Sequence, residues 1–193
     1  MSGKKTAKKK KPDRRVKRTR EVLGDALVGL MQEKTFESIK VEEVLDRADV
    51  GRSTFYSHYR DKDDLFLSDV DEFWEGMASW LERKGEKSRR MAPLAELLSH
   101  VGTAQTFYQA LVASGKVGDV MELGRGHFRR SIERRLHQLE PKLERERVAI
   151  LASAFTGAMF ELMDRWVRHE ITGSPAEIDS IFHEMVWSGI PKT

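Results

Sequence analysis

Apolar residues recur along this chain at spacings of three and four, the period of helices that bury one face. Leu23, Leu27, Leu30 and Met31 form such a stripe, with Arg20 and Val16 on the preceding turns and Asp13 placed as an N-cap. Thr35-Phe36-Glu37-Ser38 interrupts it. Val41, Val44, Leu45 and Ala48 predict a short second helix, Asp49-Val50-Gly51 a tight break, and Arg52 to Tyr59 a third helix. Asp61 then caps a long fourth helix carrying Leu65, Phe66, Val70, Phe73, Trp74, Met77, Trp80 and Leu81, which fades in the polar stretch 84–90. Beyond it the spacing predicts helices over 94–100, 106–113, 117–139, 144–170 and 175–188. Pro93 and Pro175 sit in first turns, Pro141 and Gly173 in connections. No alternating strand pattern of useful length occurs. The expected fold is therefore all-α, with an N-terminal three-helix unit containing a helix-turn-helix and a C-terminal helical bundle. The expected divisions are a mobile arm over 1–12, a head over 13–66 whose fourth helix runs on to about 85 as a connector, and a C-terminal domain over 67–193.

Composition narrows this picture. A chain of 193 residues with 39% hydrophobic and 34% charged residues can bury a core and keep a charged surface. It has no run approaching the ~18 apolar residues of a membrane span. Its N-terminus lacks the apolar segment of a secretory signal, so a cytoplasmic protein is expected. There is no cysteine, which removes disulfides, thiolate metal sites and thiol nucleophiles.

The formal charge of +3 conceals an asymmetry. Residues 1–20 hold eleven Lys or Arg against the single acid Asp13, a local charge of +10, so the rest carries −7. A basic arm on an acidic body implies a polyanionic partner; an inert solubilising tail is the alternative reading. If the arm follows a duplex, deleting 1–12 weakens binding to all sequences alike and flattens the salt dependence.

The block 41–65, VEEVLDRADVGRSTFYSHYRDKDDL, carries the most specific signal. Two short helices around a three-residue break have the geometry of a helix-turn-helix. Asp49 tolerates the left-handed backbone such a turn needs, Gly51 can serve as an N-cap, and Val50 packs beneath both helices. On the third helix Phe55 and Tyr59 face inward. Arg52 and Tyr56 project together on the other side beside Ser53 and Ser57, with Thr54 and His58 along one edge. That outward set holds no acid, although acids outnumber bases nine to six over residues 21–62. Its members can donate to phosphates and base edges. On spacing alone, an ordinary amphipathic helical pair remains open.

Residues 14–66 closely resemble the N-terminal domain of the TetR family of regulators. The shared features are an amphipathic first helix, the pair Thr35-Phe36 after its end, Ala48-Asp49-Val50 closing the second helix, and the run Thr54-Phe55-Tyr56-Ser57-His58-Tyr59-Arg60-Asp61-Lys62. The resemblance implies that Arg52, Ser53 and Thr54 enter the major groove, that Tyr56 and His58, beside Ser57, hold phosphates, and that Lys62 meets another phosphate at the start of the fourth helix. Three positions depart from the pattern. Lys40 stands where a Thr N-cap is usual, so that cap is weaker or comes from Ser38. Asp49 replaces a frequent Gly, and Gly51 a commoner Ser or Asn. The family further implies a homodimeric repressor that binds a palindromic operator and answers to a small-molecule effector. An architectural DNA binder driven by the arm, and a sensor whose DNA head has lost activity, are the alternatives. Intact Arg52, Thr54, Tyr56, His58 and Lys62 weigh against the second.

The C-terminal region is less specific. Phe155 to Trp166 followed by Ser174-Pro175 resembles the subfamily that includes regulators of dihydroxyacetone kinase operons. Ile150, Leu151, Ala154, Ala158, Leu162 and Trp166 form one apolar stripe, and Ile178, Ile181, Phe182, Met185 and Val186 another. Both are candidates for a dimer interface, with small Gly157 permitting close approach; each can equally be internal core. Trp74, Met77, Trp80, Phe107, Tyr108, Leu111, Phe128, Met159 and Met163 are candidate linings of an effector pocket, with plain core as the alternative.

Enzymatic readings find little footing. The six histidines lack a His-Glu-x-x-His spacing, since His183-Glu184 is followed by Met185-Val186-Trp187. Gly124-Arg125-Gly126 is a fragment of a phosphate loop without a preceding strand. No catalytic residue, metal or cofactor is expected.

Overall fold

The computed structural model describes residues 14–85 and 87–188, so the basic arm and the Asp13 cap lie outside the described residues. These residues form ten α-helices and no strand. The helices are α1 (Arg14–Glu33), α2 (Val41–Ala48), α3 (Arg52–Tyr56), α4 (Lys62–Ala78), α5 (Trp80–Arg83), α6 (Leu94–Thr103), α7 (Gln105–Ala113), α8 (Val117–Leu139), α9 (Arg145–Val167) and α10 (Pro175–Ser188), with a 3-10 turn at Phe36–Ser38.

The apolar stripes bury as their spacing predicts. Leu23, Leu27, Leu30 and Met31 of α1 meet Val44 and Leu45 of α2, Phe55 of α3, and Leu65 and Phe66 of α4 in one core. That core continues without a break into the body through Val70 and Trp74 of α4, Phe128 and Ile132 of α8, and Met159, Phe160 and Met163 of α9. The two 23-residue helices α8 and α9, each about 35 Å long at 1.5 Å per residue, pack together and form the spine of the body. Helix α10 lies mainly on α6.

Local chemistry moves several predicted boundaries. The long fourth helix divides at Ser79, whose hydroxyl donates to the carbonyls of Glu75 at 2.8 Å and Gly76 at 3.3 Å and competes with the next backbone turn. The third helix stops at Tyr56 rather than Tyr59, with the Ser57 hydroxyl donating to Thr54 O at 2.6 Å. Helix α9 ends at Val167, and His169 follows in a left-handed conformation at φ 58°. Only Ala104 separates α6 from α7.

The loop before α6 is fastened to α10 by side chains. The backbone N–H groups of Met91 and Ala92 donate to His183 Nε2 at 2.8 and 3.4 Å, while the other ring nitrogen lies 2.7 Å from Asp179 O. Arg90 bridges Glu96 and Asp179, and Arg135 donates to the carbonyls of Arg90 and Ser88.

The Gly-Arg-Gly segment of α8 is a packing device. A Cβ at Gly124 would lie 2.7 Å from both Phe160 Cζ and Trp74 Cε2, two rings that are almost wholly buried, whereas one at Gly126 would meet only Arg130 Nη1 at 3.5 Å. Alanine gains about 1 kcal/mol over glycine inside a helix, but forcing a methyl into a packed core costs about 1–3 kcal/mol. Gly126→Ala is therefore expected to stabilise the protein by about 0.5–1 kcal/mol, and Gly124→Ala to destabilise it on balance. Urea denaturation of the two variants checks the opposite signs.

Candidate nucleic-acid interface and the cavity behind it

The break between α2 and α3 is built as its residues allow. Asp49 adopts φ 52° and ψ 47°, the left-handed conformation that turns the chain out of α2, and the Val50 N–H returns to Leu45 O at 3.1 Å. Gly51 occupies the N-cap of α3 in extended backbone, φ −67° and ψ 146°, with open space where a Cβ would be. A serine or asparagine is thus sterically admissible there. Lys40 is the N-cap of α2, and its N–H is satisfied by the Glu43 carboxylate at 2.9 Å. Lys34 pairs with the same carboxylate and holds it below the usual range. Ser38 donates to Thr35 O instead of capping α2. The Asp61 carboxylate accepts from the Asp64 N–H at 2.8 Å and caps α4.

Helix α3 presents the two faces that its spacing implies. Phe55 and Tyr59 are buried, whereas Arg52, Ser53, Thr54, Tyr56 and Ser57 are exposed and His58 is half-buried. The exposed Tyr56 ring meets Phe55 edge-on at 5.2 Å, which restricts its orientation without covering its hydroxyl. Below it, Arg20 of α1 donates to Tyr59 OH at 3.0 Å and Ser68 Oγ at 2.5 Å, tying α1, the end of the reading unit and α4 together.

Two features qualify the recognition face. Glu42 of α2 reaches its edge and pairs with Arg52 at 2.7 Å. The acid-free character of α3 therefore does not extend to its neighbour, a placement only the packing of α2 against α3 decides. The pair is solvent-exposed and weak, so a phosphate or base edge can displace it.

Lys62, expected at a phosphate, is used internally. Its ammonium donates to the carbonyls of Phe36 at 2.6 Å, Ile39 at 2.8 Å and Glu37 at 3.2 Å, and lies 4.6 Å from the Phe36 ring centroid. Its three N–H groups are thus engaged by the carbonyls of the 3-10 turn. Lys62→Met is expected to cost about 1–3 kcal/mol of stability by orphaning these acceptors. Thermal unfolding without DNA checks this; an unchanged melting temperature would leave the lysine free for phosphate.

Behind the head lies a cavity of about 760 Å³ between α1, α4, α6, α7 and α8. Of the expected linings, Trp74, Phe107, Tyr108 and Leu111 form its walls. Met77, Phe128, Met159 and Met163 are instead buried in the core away from it, and Trp80 is half-buried with the Lys84 ammonium over its ring. The Trp74 indole donates to Val120 O at 2.8 Å, which fixes that wall.

Sequence spacing missed the polar part of this cavity, which includes Arg20, Asp69 and His100. Asp69 follows Leu65 by four positions and Phe66 by three, so a carboxyl on the buried stripe of α4 was the available signal. A Cβ at Gly24 would overlap the Asp69 carboxyl, so the glycine on α1 makes room for the carboxyl where it stands. Burial pushes the Asp69 carboxyl up to about 7; Arg20 opposes the rise while Glu72 and Asp25 add to it. Burial also lowers His100 and raises Tyr108 from their ordinary ranges.

The sign of the Asp69 effect follows from linkage. Between about 4 and 7 the folded protein keeps this proton and the unfolded chain does not, so stability is lost as pH rises through that window. Asp69→Asn is expected to remove this slope and to gain on the order of 1–3 kcal/mol over the parent above pH 7, after allowance for partial exposure. Chemical denaturation at pH 5 and 8 measures it.

The expected dimer residues divide sharply. Ile150 and Ile181 are 63% and 64% exposed, and Ala154 and Met185 also face outward. Ala158, Leu162 and Trp166 are half-buried. Ile178 and Phe182 are buried within the protomer, so the second stripe is core along that line and surface only along Ile181 and Met185. Among the described residues no group of three or more His, Asp or Glu could hold a metal ion, and no helix is long and apolar enough to cross a membrane.

Residues 23–68 match the family model described as bacterial regulatory proteins, tetR family. Over 59 residues the chain is 39% identical to the uncharacterized HTH-type transcriptional regulator YxbF of Bacillus subtilis (strain 168). That match covers 30% of this chain and only 16% of the relative's length. Among solved structures, the dihydroxyacetone kinase operon activator DhaS superposes with a TM-score of 0.67 at 15% identity, over 89% of this chain and 96% of its own. A TetR transcriptional regulator from Streptococcus agalactiae 2603V gives 0.61 at 22%, over 90% and 96%. The fatty acid degradation regulator FadR from Bacillus halodurans gives 0.59 at 13%, over 89% and 99%. At such identities the likeness is one of fold.

Proposed function

We propose that the chain, whose residues 23–68 match the tetR family model, is a DNA-binding transcriptional regulator of that kind and reads an inverted-repeat operator as a homodimer. The observation that carries this reading is the exposed, acid-free outward face of α3, with Arg52 and Tyr56 projecting over a buried Phe55 and Tyr59. Arg52, Ser53 and Thr54 enter the major groove; Tyr56, Ser57 and His58 bind flanking phosphates. One five-residue helix reaches few bases, so two copies related by a two-fold axis are needed for a specific site.

The second copy docks on the outward faces of α9 and α10. Ile150, Ala154, Ile181 and Met185 are apolar and uncovered in the protomer, and the open space beside Gly157 admits a close partner helix. DNA occupancy blocks transcription, which makes the protein a repressor acting in the cytoplasm. A small-molecule effector modulates it through the cavity behind the head. The role of the Lys-rich arm is to add sequence-independent attraction to phosphates.

Selection from random duplexes at near-physiological salt tests the reading. Enrichment of an inverted repeat is the expected result. Salt-sensitive binding with no enriched sequence would transfer the activity to the arm and make the protein a nonspecific DNA binder. Sedimentation of Ile150→Glu/Ile181→Glu at micromolar concentration tests the interface: the double variant is expected to be monomeric where the parent is dimeric.

A further inference from the structure

The charge of the cavity is out of balance in one direction. Among the described residues two cations line it, and both are already engaged: Arg20 by Tyr59, Ser68 and Glu72, and Lys17 by Glu21 at 3.6 Å. Four carboxyls line it as well, Glu21, Asp25, Asp69 and Glu72. Of these, Asp69 alone is half-buried, beside Phe66, Val70, Phe73 and Trp74, and no hydrogen bond from the described residues holds it. His100 stacks on Phe73 at 4.8 Å, and desolvation against that ring lowers its pKa and so disfavours the charged imidazolium.

A second group in the cavity is also unfilled. Tyr108 is only 5% exposed, lines the cavity, and its hydroxyl has no hydrogen-bond partner among the described residues. The surrounding walls are aromatic and aliphatic: Phe66, Phe73, Trp74, Phe107, Leu111 and Val120. A volume of about 760 Å³ lies in the range of small-molecule sites, roughly 300–1,000 Å³. An anion placed here would face an excess of carboxylates, with no free cation among the described residues of the lining. An ammonium would gain a counter-ion, a hydroxyl acceptor and ring faces.

We infer that this cavity binds an apolar cation, an ammonium carried on an aromatic or branched hydrocarbon body, with Asp69 as its counter-charge and Tyr108 OH as an acceptor. The inference rests on the reading of the chain as an effector-responsive regulator, and it adds the ligand's charge and the place where it acts. One wall of the cavity is the outer surface of α1, from Val16 to Gln32, which belongs to the DNA-reading head. An occupant therefore contacts head and body at once, and ligand and DNA affinities are coupled reciprocally through the seating of α1 on α4 and α7.

Isothermal titration of the full chain with 1-naphthylmethylammonium, its carboxylate counterpart 1-naphthylacetate and the neutral 1-naphthylmethanol tests the inference. The ammonium is expected to bind saturably and at least about tenfold more tightly than either counterpart, a difference of about 1.4 kcal/mol. Asp69→Asn is expected to abolish that preference with a cooperative melt retained, and Tyr108→Phe to weaken the ammonium alone. Because Asp69 must lose a proton to pair, ammonium affinity is expected to fall toward tenfold per unit as pH drops from 7 to 5, with Arg20, Glu72, Asp25, Glu21, Lys17 and His100 as the other titratable or charged groups around the site. A merely structural Asp69 would not move the ligand preference. Equal binding of the three probes, no saturable binding below millimolar, or an unaltered preference in Asp69→Asn overturns the inference. Titration of the selected duplex with and without the ammonium separates the two readings. Intact operator binding without ammonium preference sinks the ligand class alone. Ammonium binding with no operator, or with operator affinity unchanged, sinks the regulatory reading alone.

Discussion

Replacing Arg52 by alanine is expected to weaken binding to the selected operator roughly 5- to 150-fold and to relax base preference at one position in each half-site. The guanidinium is exposed on α3, so its loss leaves the core intact and the melting temperature almost unchanged. Its partner Glu42 makes the test two-sided. The pair at 2.7 Å holds Arg52 beside a carboxylate that repels phosphate, and DNA must displace that contact before the arginine can bond. Glu42→Gln is therefore expected to raise affinity for all duplexes a few-fold without changing the preferred sequence. Binding isotherms on the operator and on a scrambled duplex, each at two salt concentrations, separate these effects. Equal losses on both duplexes in Arg52→Ala would assign the arginine to phosphate rather than to a base.

Phe55→Ala is expected to have the largest effect on stability in the head, about 3–5 kcal/mol. The side chain is fully buried, its ring packing on Tyr59 at 5.7 Å within the core shared with Leu45 of α2 and Leu65 of α4. That loss is a large share of the 5–15 kcal/mol typical of a folded domain. Operator binding is expected to vanish with it, because α3 has only five residues and no side-chain cap, and its position comes from this contact. Calorimetry with a parallel sedimentation run checks the outcome. A dimer that persists without DNA binding places the damage in the head; an unshifted melt would contradict the packing.

The contrast between these two neighbours on α3 shows what was readable beforehand. A period of 3.6 separates Arg52 and Tyr56 from Phe55 and Tyr59 on any helix, so the division into faces depends on local geometry alone. The same holds for Asp61 as the cap of α4 and for Asp49 in its left-handed turn. Interruptions within a helix were less legible. The break at Ser79 arises from a hydroxyl that has a choice between solvent and its own backbone, and spacing does not reveal which it takes.

Charged residues were hardest to assign, because their partners come from other elements. Lys62 follows the recognition helix and was expected at DNA, yet its ammonium sits under carbonyls that lie 23 to 26 positions earlier. Glu42 reached the reading face from α2. Of nine apolar residues proposed for the cavity, four line it, because periodicity identifies a buried face without saying whether the opposing surface is filled or hollow.

The sequence by itself determined that the chain is helical, where its helix-turn-helix lies and which side of α3 looks outward, since each depends on spacings within a few residues. Only the tertiary structure decided that Gly24 shelters a carboxyl on α4, that Gly124 lets two rings approach α8, and that the cavity opens against α1 rather than inside the body. Those properties depend on residues dozens to more than a hundred positions apart. Their meeting is fixed by how whole helices pack, and no short-range pattern encodes it.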